Sequence, residues 1–387
     1  MLNLDQQIAK QIEKSENILI AFNADWNGDA VASALALYLY LAKKGKKAEV
    51  AAQLNADDQE KKRAAETWKF LPKSGDIQHS LKNLRKFIVS LDISQAVINQ
   101  IRYSVDGQKL NFIISPEKGW FRPEDISTSS SGFKHDLIFT IDSPDLESLG
   151  SIYDNNVEFF YKTTIINIDH QAANEEYGQI NLLDLNVAST AEVLYGLIKT
   201  EEGTLDEDIA TCLFAGIISK TRNFKSANLT PRTLLTSSKL ISAGARREEI
   251  ISELYRSRPL SVLKLWGKLL NNLQSDENKR LLWTQAKPDE IDPEEASHLD
   301  LNEIVDEILA GVPEAKLILI GLPLPQKPGR YKLSVFAAKG ISAVELLKAW
   351  SASGSARTAT AEIDFPADQW EEKIIGPLKA KLDKNFG

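Results

Sequence analysis

The chain is nearly without cysteine. Cys212 stands alone among 387 residues, so no internal disulfide can form and a reducing compartment is expected. No apolar run is long enough to span a bilayer. The opening Met-Leu-Asn-Leu-Asp-Gln-Gln has neither the basic n-region nor the apolar h-region of a secretory signal. A cytoplasmic protein without membrane contact is the expectation. Positive charge is also short: 46 Lys and Arg face 54 Asp and Glu, a formal net charge of −8. That balance argues against non-specific coating of nucleic acid, which needs many cations against phosphates. A local basic groove remains compatible with it.

What the chain does have is length and a globular composition. With 43% hydrophobic and 26% charged residues, it reads as a folded protein of two domains or three. Asn17–Phe22, Ala48–Ala52, Phe87–Leu91, Asp136–Asp142 and Thr163–Asp169 are short apolar runs suited to buried strands. Helical signals separate them, as in Gly28 to Lys44. The expected fold class is α/β, a doubly wound, mostly parallel sheet. Residues 98–114 alternate around Asp106-Gly107, a hairpin signal. With the serine run Ser127–Ser131, expected to be a mobile loop, they suggest an insertion at about 95–133. Helices dominate from Leu205 to Asn272, and Thr230-Pro231 is a good helix start. The last part is expected to be a smaller α+β domain. The domains are then 1–255, a linker helix at 256–275, and 276–387.

Polar residues gather where these strands end, the edge at which open α/β sheets place ligands. The first strand leads into Asn23-Ala-Asp-Trp-Asn-Gly-Asp29, with Ser33 on the following helix. Asp142 ends another strand, and Asp169-His170-Gln171 a third, with Asn174 just beyond. Carboxylates and an imidazole converging on one edge suit Mn²⁺ or Mg²⁺. Each is also an ordinary cap or turn residue taken singly.

Together these motifs resemble the DHH family of phosphoesterases, of the NrnA and RecJ kind, along nearly the whole chain. The resemblance rests on Asp169-His170, the Asn174 spacing, Ile180–Asp184, Ala188–Glu192, Ala215–Phe224 and Thr230-Pro-Arg232. It implies a DHH domain, a DHH-associated C-terminal domain, and a two-metal site in the interdomain cleft. Carried over residue by residue, it places one metal site on Asn23, Asn27 and Asp142, with Asp25 as a substitute ligand. The other falls on Asp29, Asp142, His170 and Lys220. The second histidine of the family signature is Gln171 here. The family's C-terminal glycine-rich run with its histidine falls on Ser353-Gly-Ser-Ala356.

These departures remove donors. Amide oxygens at Asn23 and Asn27 are poor substitutes for an imidazole and a carboxylate at a hard divalent cation, and a protonated lysine cannot be a ligand. Lys220 is expected to neutralise Asp29, Asp142 and Asp169 in place of metal, since unpaired buried carboxylates repel one another. The expectation is a pseudo-phosphoesterase with no cofactor. Mn²⁺ or Mg²⁺ is expected on Asp29, Asp142 and His170 only if a residual site survives. Ser33, Asn174, Ser189, Thr190, Arg222, Arg232 and Arg357 are the candidate contacts to a nucleotide or single strand. Trp26 or Trp350 would stack a base. The alternatives are an active Mn-dependent phosphodiesterase with an altered site, and a protein partner bound through the hairpin.

Overall fold

The computed structural model describes residues 3–386 except 56, 86, 130–131, 200–202, 227, 257–259, 289–300, 325–326, 328, 339 and 365–368. The chain divides into two compact units, Met1–Arg256 and Ser257–Gly387. Among the described residues, no helix is long and apolar enough to cross a membrane.

The first unit begins with α1 (Leu4–Lys14), β1 (Asn17–Phe22), α2 (Gly28–Lys43), β2 (Lys47–Ala51) and α3 (Gln59–Thr67). The inserted strands β3 (Ile88–Leu91), β4 (Val97–Asp106), β5 (Lys109–Lys118) and β6 (Ile126–Ser129) follow. The chain returns to the sheet with β7 (Leu137–Ile141), α4 (Ser151–Asp154), α5 (Val157–Lys162), β8 (Thr164–Asp169) and β9 (Ile180–Leu183). Helices α6 (Thr190–Ile198), α7 (Glu207–Lys220), α8 (Pro231–Ser242) and α9 (Arg247–Ile251) complete it.

The main sheet has the order β2-β1-β7-β8-β9, and every pair is parallel. Side chains alternate between two buried faces, which is why the strands read as continuous apolar runs. Ile18, Ile20, Phe22, Phe139, Ile141, Ile166 and Ile168 join the core under α2, α6 and α7. Leu19, Ala21, Ile138 and Ile165 join the opposite core with Phe159 and Phe160 of α5. The central strands end in register, Phe22 beside Ile141 and Ile141 beside Ile168. Residues 23, 142 and 169 therefore leave the sheet at one level.

Two expectations fail in the insertion. Ile88–Leu91 is not a strand of the main sheet. It pairs antiparallel with Ile126–Ser129 in a separate ribbon, so the insertion begins earlier than residue 95. The serines at 127–129 are accordingly strand rather than loop, because a pairing partner satisfies their backbone; residues 130 and 131 lie outside the described residues. The hairpin β4–β5 forms as expected, but Asp106 pairs with Lys109. Gly107-Gln108 is thus the two-residue turn, with Gly107 at φ 58°, the left-handed value that the first position of a II′ turn requires.

The second unit is a six-stranded mixed sheet. Its strands are β10 (Gln274–Ser275), β11 (Leu281–Gln285), β12 (Leu317–Pro323), β13 (Tyr331–Ala337), β14 (Ser353–Gly354) and β15 (Thr358–Ile363), in the order β10-β11-β12-β13-β15-β14. The helix Leu260–Asn271 suggested a linker. Its Leu265 and Leu269 are buried with Leu282, Ile304 and Ile318, so it belongs to the core of this unit. The acidic stretch from Lys287 to Asp300 falls mostly outside the described residues.

Candidate functional site

Three side chains converge at the C-terminal edge of the main sheet. Oxygen or nitrogen atoms of Asp29, Asp142 and His170 all lie within 4.8 Å of one another. Asp29 is in the first turn of α2 and fully buried. Asp142 follows β7 and His170 follows β8. Alternation along β8 puts Ile166 and Ile168 under α2 and α6, so His170 continues on that side while Asp169 turns away. Asp142 would share Asp169's side, but its φ of 49° breaks the alternation. A left-handed aspartate costs about 1–3 kcal/mol and persists where surrounding contacts fix it. Here Thr190 Oγ1 donates to Asp142 Oδ1 at 2.8 Å.

Thr190 ties the cluster together. Its hydroxyl also lies 2.9 Å from His170 Nδ1, and its backbone N–H donates to Asp29 Oδ2 at 2.7 Å. Ala191 N–H donates to Asp29 Oδ1 at 3.0 Å, and Ser189 Oγ accepts from Glu192 N. The first turn of α6 is therefore fully occupied by Asp29 and Ser189. Ser189 and Thr190 do not present an open helix N-terminus to a phosphate, contrary to the expectation. Ser33 Oγ donates to Asp29 Oδ1 at 3.3 Å and is buried with it.

The three ionisable groups perturb one another. Burial and then the Asp142 charge push Asp29 up to about 7. Burial alone would raise Asp142 too, but the hydrogen bond from His170 and the charges of Lys220 and His170 hold it well below the usual carboxylate range. His170 Nδ1 lies 3.3 Å from Asp142 Oδ1 and 3.8 Å from Asp29 Oδ2. Against its burial, the Asp142 hydrogen bond and the Asp29 charge raise it. The two carboxylates are thus pushed apart, Asp29 upward and Asp142 downward, as neighbouring acids that share one site are.

Lys220 acts on the carboxylates through its charge rather than by contact. It ends α7 half-buried, and its charge reaches Asp29, Asp142 and His170. No ion pair or hydrogen bond to these groups forms among the described residues. The group in contact with the carboxylates is the His170 ring, with Nδ1 3.3 Å from Asp142 Oδ1. Asp169 borders the cluster, its Oδ1 3.6 Å from His170 Nδ1, but its oxygens are taken up by its own turn. Its Oδ1 accepts from His170 N at 2.6 Å and Gln171 N at 3.1 Å, and its Oδ2 from Asn174 Nδ2 at 2.8 Å. Asn174 also donates to Ser143 O and accepts from Asn167. Asp169 and Asn174 thus build the turn that aims His170. Gln171 Nε2 makes a long contact to Asp142 Oδ1, 3.3 Å.

The two asparagines are turned back on their own backbone. Asn23 Oδ1 accepts from Asp25 N at 2.8 Å. Asn27 is the N-cap of α2, accepting from Ala30 N at 3.0 Å. Asp25 does not join the cluster: its side chain is 74% exposed and lies 3.6 Å from Lys61 Nζ. Arg232 pairs with Asp184 at 2.6 Å. Trp26 is buried, with Nε1 donating to Gln53 O, so it cannot stack a base. Arg222 follows α7 at φ 49°. Arg357 is exposed on the second unit, beside Ser353–Ala356.

Gly216 lies inside α7, where glycine is a poor helix former. An added Cβ there would lie 2.8 Å from Ala191 Cβ and 3.1 Å from Asp29 Oδ1. The missing side chain lets α7 press against the cluster. Gly216→Ala is expected to destabilise the protein by about 1–2 kcal/mol, because overpacking by about 1–3 kcal/mol outweighs the helix-propensity gain of about 1. Urea unfolding measures it, and a stabilised variant would show that the approach is looser than this.

The family model for the DHH family, N-terminal domain, matches residues 17–217. The chain belongs to the DHH family. Its relatives include the bifunctional oligoribonuclease and PAP phosphatase NrnA of Thermus thermophilus, 26% identical over 221 residues, which is 57% of this chain and 65% of the relative. The protein of the same name from Bacillus subtilis is 30% identical over 117 residues, 30% of this chain and 37% of the relative. The chain thus spans less than two thirds of the length of either. An exopolyphosphatase-related protein from Bacteroides fragilis has the same fold, with a TM-score of 0.67 at 16% identity, covering 98% of this chain and 97% of that one. The DHH signature of this member is Asp169-His170-Gln171.

The cluster fits one divalent cation. Asp142 Oδ2 is buried with no hydrogen-bond partner, which is costly for a carboxylate oxygen unless a cation or water meets it. Two carboxylates and an imidazole are an ordinary donor set for Mn²⁺. Asn23 and Asn27 offer only neutral amide oxygens, each already accepting one local N–H.

Proposed function

We propose that this DHH-family protein binds nucleotides or short single-stranded oligonucleotides at its sheet-edge site and has lost two-metal hydrolysis. The observation that carries this reading is the pair Asn23 and Asn27, whose oxygens serve the backbone N–H groups of Asp25 and Ala30. Two-metal chemistry needs an ion on each side of the reacting phosphate, and these neutral amides offer one side little. The positive charge of Lys220, at the family's remaining aspartate position, works in the same direction. A cation held by Asp29, Asp142 and His170 would supply charge neutralisation for a phosphate. Thr190 fixes the three side chains, and the Asp169–Asn174 turn aims the imidazole.

Support for the ligand class comes from the NrnA relatives, named as oligoribonuclease and PAP phosphatase. A second reading, a single-metal phosphodiesterase, is favoured by the partnerless Asp142 Oδ2. Titrating the protein with PAP and with a short fluorescent RNA, with and without Mn²⁺, tests the binding claim. Saturable binding weakened at least about tenfold by Asp142→Ala is expected, about the loss of one charge-assisted contact. No binding to either ligand would remove the nucleotide reading and leave a scaffold role.

A further inference from the structure

We infer that the inserted hairpin is a self-association surface, and that two copies of this chain pack their β4–β5 ribbons face to face. The ribbon is sharply two-sided. Ile101 pairs with Ile114, Tyr103 with Phe112 and Val105 with Leu110, so six apolar side chains share one face. The other face carries Arg102 opposite Ile113, Ser104 opposite Asn111 and Asp106 opposite Lys109. A strand that alternates this way expects a core beneath its apolar side. None is there: Tyr103 is 74% exposed, Val105 68% and Ile101 60%, with Leu110 and Phe112 both above half. Among the described residues the two strands pair only with each other, and a lone two-stranded hairpin is marginal in water without a third layer or strand.

Three properties select a second copy as the cover. The face carries no charged side chain, so it does not discriminate for an acidic or basic partner. An uncharged apolar face is complementary to itself under a two-fold axis, as an isologous dimer contact must be. The area also suits a dimer. The five exposed side chains, with the partly buried Ile114, offer roughly 500 Å² per copy, against roughly 800 Å² per partner in a standard interface. Ile88, Val97, Trp120 and Ile126, all exposed on the same insertion, can supply the rest.

Sedimentation equilibrium of the full chain tests this. The wild-type protein is expected to be a dimer at micromolar concentration. Tyr103→Lys should weaken the dimer at least about thirtyfold, the scale of an interface hot spot, while Arg102→Ser on the polar face leaves it intact. Tyr103→Cys supplies an independent reading: Cys212 is buried, so the new thiol is the accessible one. At the centre of the apolar face, between the Ile101 and Val105 pairs, it should form an intermolecular disulfide under mild oxidation if the two ribbons pack face to face. A monomeric wild type, a dimer indifferent to Tyr103→Lys, or a Tyr103→Cys chain that fails to cross-link while dimeric would each overturn the proposal.

Discussion

Asp29→Ala is expected to lower the unfolding free energy by about 2–4 kcal/mol. The carboxylate accepts the N–H groups of Thr190 and Ala191, and alanine leaves both donors buried and unpaired at about 1–3 kcal/mol each. Relief of the repulsion from Asp142 offsets part of that cost. Asp29→Asn retains an oxygen for one of the two N–H groups and should cost about half as much. Urea unfolding followed by circular dichroism measures both. A loss well under 1 kcal/mol for Asp29→Ala would mean that α6 does not depend on this carboxylate. The site would then be held open for a ligand rather than built into the fold. This prediction separates two roles that coincide in one residue: Asp29 is both a candidate metal ligand and the acceptor that completes the first turn of α6.

Restoring the family's donors is expected to have the larger functional effect. In Asn23→His, Asn27→Asp, Lys220→Asp combined, the amides become an imidazole and a carboxylate, and a cation becomes an anion. Asn27→Asp preserves the N-cap, since aspartate caps as well as asparagine. Asn23→His gives up only a local turn contact to Asp25 N. Lys220→Asp alone removes a positive charge near Asp29 and Asp142 and adds a negative one. It should therefore destabilise the chain unless Mn²⁺ is present. With Mn²⁺, the triple variant should hydrolyse a short RNA more than about a hundredfold faster than the wild type, the scale of one preorganised charge-stabilising group. Equal rates in the two proteins would show that these three positions do not limit hydrolysis.

The parallel sheet was legible because its strands are buried on both faces and read as short apolar runs with helices between them. The edge carrying Asp142 and His170 followed from the same pattern. The distribution of roles among the polar residues was not. Asp169 and Asp142 look alike as strand-end acids, yet one accepts three hydrogen bonds within its own turn and the other faces His170 with an oxygen left over. That difference depends on a left-handed backbone at Asp142, which sequence periodicity does not encode. Lys220 looked like the natural counter-ion on charge alone; its charge does reach Asp29 and Asp142, but contact depends on where α7 ends, and the side chain that touches Asp142 is His170. Ser189 and Thr190 looked like a phosphate cradle because a helix begins there; Asp29, distant in sequence, had already filled it. In the insertion, Phe87–Leu91 has the composition of a sheet strand, and only its pairing with Ile126–Ser129 reveals that it left the sheet.

We expect the chain to hold one divalent ion at Asp29, Asp142 and His170 and none at Asn23 and Asn27. Counting Mn²⁺ ions bound to the purified chain by native mass spectrometry, alongside hydrolysis of bis-p-nitrophenyl phosphate and short RNA, tests it most directly. The expected result is at most one bound ion, lost in Asp142→Ala, and no turnover above the buffer rate. Two bound ions with turnover abolished by Asp142→Ala would contradict it.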